Sequence, residues 1–191
     1  MAGKQAKILS QSNVYDLLAY AATTRDPRRN IAIVLLSVKA GLRAGEIAQL
    51  SWDMVLEPNG EIGHTLELRD HAAKMNSGRR IPVHFDLRAA LMRLAKISDL
   101  TGPVIGSERR GPMTATSMVL WFLAAYRAIG LKGCSSHSGR RTFITRAARL
   151  VHKAGGSLRD VQLLAGHRSI QTTQRYIDGD SDAQRKLVAM I

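Results

Sequence analysis

The strongest constraint on the fold is a change of hydrophobic period partway along the chain. Apolar residues recur at helical spacing up to Leu50, alternate with polar residues over 65–69 and 80–84, and return to helical spacing from Asp86 onward. The residues 75–78 (Met-Asn-Ser-Gly) between the two alternating segments have turn chemistry. We therefore expect one mainly α-helical domain with a small antiparallel β-sheet or hairpin.

Local start and stop signals divide the helical regions into separate helices. Ser10 and Ser12 are candidate N-caps, and glycines at 41, 130, 155 and 166 are candidate ends. The predicted helices contain or span Val14–Ala21, Arg28–Val38, Ala44–Leu50, a stripe at Leu87, Leu91 and Leu94, a stripe at Val119, Phe122, Leu123 and Tyr126, His137 to about Val151, Ser157–Leu164, a segment capped by Ser169, and about Asp180 to Met190.

Composition narrows the partners of the chain. Its 191 residues suit one domain, and 28 basic residues against 15 acidic ones give a formal net charge of +13. Such a charge attracts polyanions, and because Lys and Arg are spread along the whole sequence, nucleic acid is favoured over a lipid surface. A basic protein that is merely soluble at this charge remains the alternative.

Several classes of protein are excluded or disfavoured. The single cysteine, Cys134, excludes an internal disulfide framework, and the apolar runs 31–38 and 119–126 are far shorter than the roughly 20 residues of a membrane span. The sequence contains no GxxxxGK[ST], no HExxH and no acidic cluster suited to magnesium. We expect no metal and no cofactor, so chemistry on a phosphate would depend on cationic side chains.

Two segments place cations beside helix starts. In GLRAGE, Arg43 opens a short helix, and Glu46 is close enough to orient its guanidinium; the alternative is an ordinary surface ion pair. In HSGRRTF, His137 and Arg140 are three residues apart and face one side of a helix, which suits a phosphodiester and a proton transfer. The alternative there is a solvated basic helix start.

Two further segments carry a candidate nucleophile and a candidate acid. In LAGHRSIQTTQRY, His167 and Tyr176 converge only if the helix breaks between them, and Gly166 with Ser169 supplies that break. A lone tyrosine is more often a packing residue. Lys74 precedes the hairpin turn and is able to reach outward, although most such lysines are solvated edge residues.

Together and in this order, these segments resemble the tyrosine recombinase (phage integrase) family. The catalytic set of that family runs Arg, Lys on a β-hairpin, His-x-x-Arg, His or Trp after a Gly, and Tyr about nine residues later. The matching positions, within a resemblance from about residue 8 to the C-terminus, are Arg43, Lys74, His137, Arg140, His167 and Tyr176. Gly139 stands where the family usually has leucine, Arg141 where histidine is common, and Ala165 replaces a leucine. These departures concern packing around the site.

The resemblance implies an activity and roles. Arg43, Arg140 and His167 would clamp the scissile phosphate, and Tyr176 would attack it to form a 3′-phosphotyrosine. His137 would be the base and Lys74 the proton donor to the 5′ oxygen. Residues 1–191 would form a single catalytic domain without the N-terminal core-binding domain of most members, either a truncated chain or a short recombinase that inverts DNA.

The resemblance also implies partners. These are double-stranded DNA recombination sites, other copies of the chain in a homo-oligomer (a tetramer) on DNA, and an accessory DNA-bending or directionality factor, in a cytoplasmic, DNA-associated protein with no membrane partner. Glu46 would orient Arg43 or Lys74, and Arg79, Arg80 and Arg141 would contact the DNA backbone. The C-terminal helix with Leu187, Val188 and Met190 would dock on a neighbouring subunit or pack within its own. The alternative functions are DNA relaxation resembling type IB topoisomerases and a catalytically silent DNA-binding regulator.

Overall fold

The computed structural model describes residues 6–73, 77–108, 111–176, 185 and 188–191. Within them the chain is mainly helical, with a two-stranded antiparallel sheet, as predicted. The elements are α1 (Gln11–Thr23), α2 (Pro27–Lys39), α3 (Ala44–Gln49), β1 (Thr65–Leu68), β2 (Arg79–Pro82), α4 (Phe85–Ala95), α5 (Ala115–Ala128), α6 (Ser138–Leu150), α7 (Leu158–Ala165) and α8 (Ile170–Gln174), with 3-10 turns at Trp52–Met54, Asp70–Ala72 and Val151–Ala154. None of the helices among these residues has the length and apolar character needed to cross a bilayer.

Helix ends follow the capping signals closely. The Ser10 hydroxyl accepts from the Asn13 amide at 3.1 Å, whereas Ser12 lies inside α1 and is not the cap. The Ser157 capping box begins α7, and Gly166 ends that helix with φ +63°. The second helix begins at Pro27, one residue earlier than predicted, because proline suits the first helical position. Of the predicted terminal helix at 180–190, only residues 185 and 188–190 lie among the described residues.

The sheet is shorter than the alternating pattern predicts. Leu66 pairs with Ile81, both are buried, and the register continues to Leu68 opposite Arg79. The second strand ends at Pro82, because His84 becomes the N-cap of α4 and its Nδ1 accepts from the backbone N–H of Asp86 at 3.1 Å. Turn residues 74–76 lie outside the described residues.

The main core surrounds α2, whose residues from Ala32 to Val38 are all buried. The helix α5 covers this core with Met118, Phe122, Ala125 and Tyr126. The predicted stripe is wrong at two positions, since Val119 and Leu123 are 42% and 39% exposed. The buried face of α5 therefore begins at Met118, one residue before the first residue of the predicted apolar stripe.

A second, smaller cluster lies between α6 and α7. It contains Ile144, Ala148, Val161 and Ala165, with Tyr176 packed against it. The start of α6 contacts α2 at Gly139, where a Cβ would lie 2.9 Å from the Ser37 Cβ and closer still to its Oγ. Glycine at this position therefore permits the close crossing of α2 and α6, and the candidate site lies where the two clusters meet.

Candidate active site

Five of the six residues singled out in the sequence lie among the described residues and converge on one region. Arg43 precedes α3, His137 and Arg140 stand at the start of α6, and His167 and Tyr176 flank α8. The break between Gly166 and Ser169 allows the last two side chains to meet, as expected. Lys74 lies outside the described residues.

The centre of the region is the carboxylate of Glu46, which is 2% exposed. Its Oε1 accepts from the Arg43 guanidinium at 2.5 Å and its Oε2 from the Arg43 backbone N–H at 2.9 Å. The Arg79 guanidinium donates to both oxygens, at 3.0 and 3.2 Å. Burial alone would raise the pKa of Glu46, but hydrogen bonds and charge from Arg79 and Arg43 lower it to about 2. The pair is therefore not an ordinary surface ion pair.

Arg140 is held by main-chain carbonyls. Its side chain is 4% exposed, and its two Nη atoms donate to the carbonyls of Gly41 and Ala165, each at 2.6 Å. Gly41 adopts φ +65°, and a Cβ there would lie 2.9 Å from Cε1 of Phe143 and closer to Cδ1, so only glycine fits this carbonyl support. Burial, then the charge of Arg43, lowers the pKa of Arg140 to about 10, which leaves the guanidinium charged at neutral pH.

His167 is nearly buried and lies between a donor and a hydroxyl. Its Nε2 is 3.1 Å from Arg140 Nη2, and its Nδ1 is 2.9 Å from Thr173 Oγ1. Because a guanidinium can only donate, Nε2 must accept, and Nδ1 therefore carries the proton and donates to Thr173. Burial, followed by the positive charges of Arg140 and Arg43, lowers the pKa of His167 to about 4. The imidazole is neutral at neutral pH.

Tyr176 packs beside this group. Its ring stacks on His167 with centroids 5.5 Å apart and an interplanar angle of 24°. It lines a cavity of about 250 Å³ together with His137, Arg140, Arg141 and Arg175. His137 is exposed at the mouth of this cavity, so of the pair at the start of α6 only Arg140 is buried. The phenol thus shares one opening with a buried guanidinium and an exposed imidazole.

The three arginines predicted to contact the DNA backbone differ in placement. The Arg79 side chain is 6% exposed and its guanidinium is bound to Glu46, so it lies inside the site and not on the surface. Arg80 is 74% exposed and pairs with Glu67 on β1 at 3.1 Å. The two neighbours differ because side chains alternate between the faces of β2, which places Arg79 on the same face as the buried Ile81 and Arg80 on the other. Arg141 lies in the tyrosine cavity.

At this site the prediction from the sequence assigns no inward position to Arg79 and does not single out Thr173. The inward side of Arg79 could have been found from the period of its strand, since Ile81 is two residues away. Thr173, whose hydroxyl accepts the hydrogen bond from His167 Nδ1, is fully buried, and nothing in the sequence distinguishes it from the adjacent Thr172.

The arrangement has an excess of positive charge. Three guanidiniums, those of Arg43, Arg79 and Arg140, surround the one carboxylate of Glu46, and the neighbouring imidazole is neutral. The described residues contain no cluster of His, Cys, Asp and Glu side chains able to hold a metal ion. A low-dielectric site with this excess is suited to an anion such as a phosphodiester.

Comparison with known proteins connects this geometry to a family. A model of the phage integrase family matches residues 7–182. The tyrosine recombinase XerC of Bradyrhizobium diazoefficiens is 30% identical over 159 residues, or 81% of this chain and 47% of that relative. XerC of Nitrobacter winogradskyi is 29% identical over 170 residues, or 85% of this chain and 50% of that relative. The chain spans about half the length of these curated relatives.

Solved structures share the fold at lower identity. The crystal structure of XerA recombinase has a TM-score of 0.76 and 22% identity, covering 100% of this chain and 65% of that one. The pre-cleavage complex of XerH site-specific recombinase bound to difH substrate has a TM-score of 0.73 and 18% identity, covering 99% of this chain and 55% of that one. A lambda integrase dimer bound to a COC' core site has a TM-score of 0.72 and 20% identity, covering 95% of this chain and 50% of that one. These matches confirm the predicted catalytic-domain fold. The match of the family model to residues 7–182 shows that the chain belongs to the phage integrase family.

Proposed function

We propose that this protein is a site-specific DNA recombinase that cuts and rejoins double-stranded DNA through a 3′-phosphotyrosine at Tyr176. One observation carries the proposal: Arg140 is fixed by two backbone carbonyls and contacts His167, on which the ring of Tyr176 is stacked. The relatives named tyrosine recombinase XerC and the XerH complex with its difH substrate support the same activity. Residues 1–191 would form one catalytic domain.

The cationic groups would bind the scissile phosphate and stabilise the charge that develops in the transition state. Arg43 and Arg140 would donate to its non-bridging oxygens. His167 Nε2 accepts from Arg140 in the free protein, so it must gain a proton before it can donate to the phosphate. The negative charge of the bound phosphate favours that protonation, which makes His167 a donor only once substrate is present.

Tyr176 would then displace the 5′ oxygen. A bond forms between its phenolic oxygen and phosphorus, and the bond from phosphorus to the 5′ oxygen breaks. The phenolic proton passes to His137, at the mouth of the same cavity, and Lys74 gives a proton to the departing 5′ oxygen. The covalent intermediate preserves the energy of the phosphodiester, so attack by a 5′ hydroxyl of a partner strand reverses the step.

The activity is tested by covalent trapping. Duplexes that the protein selects from a random pool are nicked next to each candidate cleavage position, so that cleavage releases a short strand and traps the adduct. Wild type is expected to form a denaturation-resistant adduct, and Tyr176→Phe is expected to bind the duplex and form none. Tyr15→Phe, at a tyrosine that is 63% exposed, is the matched control and should trap DNA like wild type.

Each alternative function has its own outcome in these assays. A silent DNA-binding regulator would bind duplex and give no adduct with wild type. A topoisomerase-like enzyme would give the adduct and relax supercoiled plasmid, but it would not exchange strands between two sites. A recombinase joins the strand of one duplex to that of another.

We also propose that the protein acts as a homo-oligomer on DNA, in the form of a tetramer. The lambda integrase dimer bound to its core site supports association on DNA. Val188 and Met190 are 71% and 84% exposed, which supports docking of the C-terminal segment on another subunit over packing within its own. Native mass spectrometry of the DNA complex measures the number of subunits, and a monomer per site would contradict this assembly.

A further inference from the structure

The inference concerns Arg79, the first residue of β2. Its guanidinium joins three parts of the site: it donates to both oxygens of Glu46 in α3, to the Leu164 carbonyl in α7 at 2.9 Å, and to the Ser77 carbonyl just before β2 at 3.4 Å. Its side chain is 6% exposed, and, unlike the equally buried Arg140, Arg79 is not among the residues that line the cavity with Tyr176.

The turn that carries His167 rests on the same side chain. A Cβ at Gly166 would lie 2.9 Å from Nη1 of Arg79 and 3.0 Å from its Cδ. The turn therefore approaches the arginine as closely as a bare glycine allows. The adjacent carbonyl of Ala165 accepts from Arg140. A shift of Arg79 would move the groups on both sides of this turn.

Glu46 depends on Arg79 for its charged state and its position. Arg79 binds the carboxylate in a bidentate way, which fixes its plane more firmly than a single contact does. The oriented carboxylate in turn holds the guanidinium of Arg43 and lies 4.0 Å from that of Arg140.

We infer that Arg79 is a positioning residue for the cleavage reaction, which sets Arg43 and Arg140 through Glu46 and sets His167 through the turn at Leu164–Gly166. This inference rests on the proposed function. It replaces the role of DNA backbone contact that the sequence predicts for Arg79.

The pH profile of cleavage separates positioning from a merely structural role. The groups that face Glu46 are Arg43, Arg79 and Arg140, with His167 behind Arg140. In Arg79→Gln, burial still raises the pKa of Glu46 while its largest opposing influence is gone, so the carboxylate titrates at higher pH. The rate of cleavage then declines on the acid side over a range in which wild type is insensitive to Glu46.

The experiment measures single-turnover cleavage of the nicked duplex at saturating protein from about pH 5 to pH 8, and duplex affinity by fluorescence anisotropy. Arg79→Gln is expected to lower the rate at neutral pH by about 100-fold, to change Kd less than about threefold, and to add the acid decline. Arg80→Gln is expected to weaken binding of the duplex and to reduce the salt dependence of that binding, and its cleavage rate should show no new decline at acid pH. Arg25→Gln, in an exposed ion pair with Glu108, is the control and should match wild type.

Two further variants keep the inference testable if Arg79→Gln does not fold. Arg79→Lys retains one contact to Glu46 and should lower the rate by less than about 100-fold. Arg79→Lys combined with Glu46→Gln should then lower the rate by less than the product of the two single effects. A loss of affinity with an unchanged saturated rate, or a rate and pH profile like wild type, overturns the positioning role. If wild type itself forms no adduct, the proposed function fails, which is a different result.

Discussion

The two halves of the candidate site are held in different ways. The arginine half, made of Arg43, Glu46, Arg79 and Arg140, is largely buried and is fixed by a shared carboxylate and by carbonyls from separate segments. The tyrosine half depends on one ring stack with His167 and on packing against a small cluster of apolar residues. The difference indicates that the fold preorganises the guanidiniums, whereas Tyr176 contributes little to stability.

The largest expected effect comes from removing the shared carboxylate. Glu46→Ala leaves buried guanidiniums without their counter-ion and should lower the free energy of unfolding by about 3–5 kcal/mol. Glu67→Ala, which breaks the exposed pair with Arg80, should cost about 0.5 kcal/mol or less. Urea unfolding of both variants measures the difference. Equal costs would show that the arginine half is not a structural centre.

The glycine that supports Arg140 gives the next effect. Gly41→Ala introduces a Cβ at positive φ against the ring of Phe143 and should cost about 2–4 kcal/mol. Gly60→Ala is the matched control, because its φ is also positive, +82°, with nothing within 4 Å of the added Cβ. It should cost about 1 kcal/mol. Thermal and urea unfolding test the ranking, and a Gly41 variant no worse than the Gly60 variant would contradict it.

A smaller effect is expected in acid. The folded pKa of His167, about 4, lies below its ordinary value of 6.5, so the unfolded state binds the proton first as pH falls. Its contribution is full above pH 6.5 and is lost progressively down to pH 4, by up to about 3 kcal/mol. Glu46 adds a further loss between pH 4.5 and its folded pKa of about 2. Stability of wild type and His167→Gln against pH tests this, and parallel curves between pH 4.5 and 6.5 would contradict it.

The smallest effect on stability is expected in the tyrosine half. Tyr176→Phe keeps the ring that stacks on His167 and loses only the hydroxyl, so the free energy of unfolding should change by less than about 0.5 kcal/mol. Urea unfolding checks this value. A cost near that of Glu46→Ala would place Tyr176 in the structural centre and remove the contrast between the halves.

The sequence predicts the fold and which residues lie in the site better than it predicts the contacts between those residues. The change of period predicts the helices and the hairpin, and the signals at Ser10, Ser157 and Gly166 predict helix ends, because these depend on local geometry. The packed face of α5 could not be predicted, since Val119 and Leu123 are as apolar as the residues that face the core. That choice depends on how the helix sits on α1 and α3, a tertiary matter.

The site shows the same limit. Arg43, Arg140, His167 and Tyr176 meet as their order along the chain predicts. The burial of Arg79, however, depends on a carboxylate that is 33 residues away. The hydrogen bond from His167 Nδ1 to Thr173 depends on the guanidinium of Arg140, 27 residues from His167, because that group makes Nε2 the acceptor. Long-range pairing of this kind leaves no local pattern in a single sequence.

The linkage between protein and DNA tests the central claim most directly. After trapping, nuclease and protease digestion followed by mass spectrometry identifies the modified peptide and the end of DNA that it carries. We predict one nucleotide-bearing residue, Tyr176, joined through a 3′ phosphate, with a free 5′ hydroxyl on the released strand. A modified residue other than Tyr176, or a linkage through a 5′ phosphate, would contradict the account.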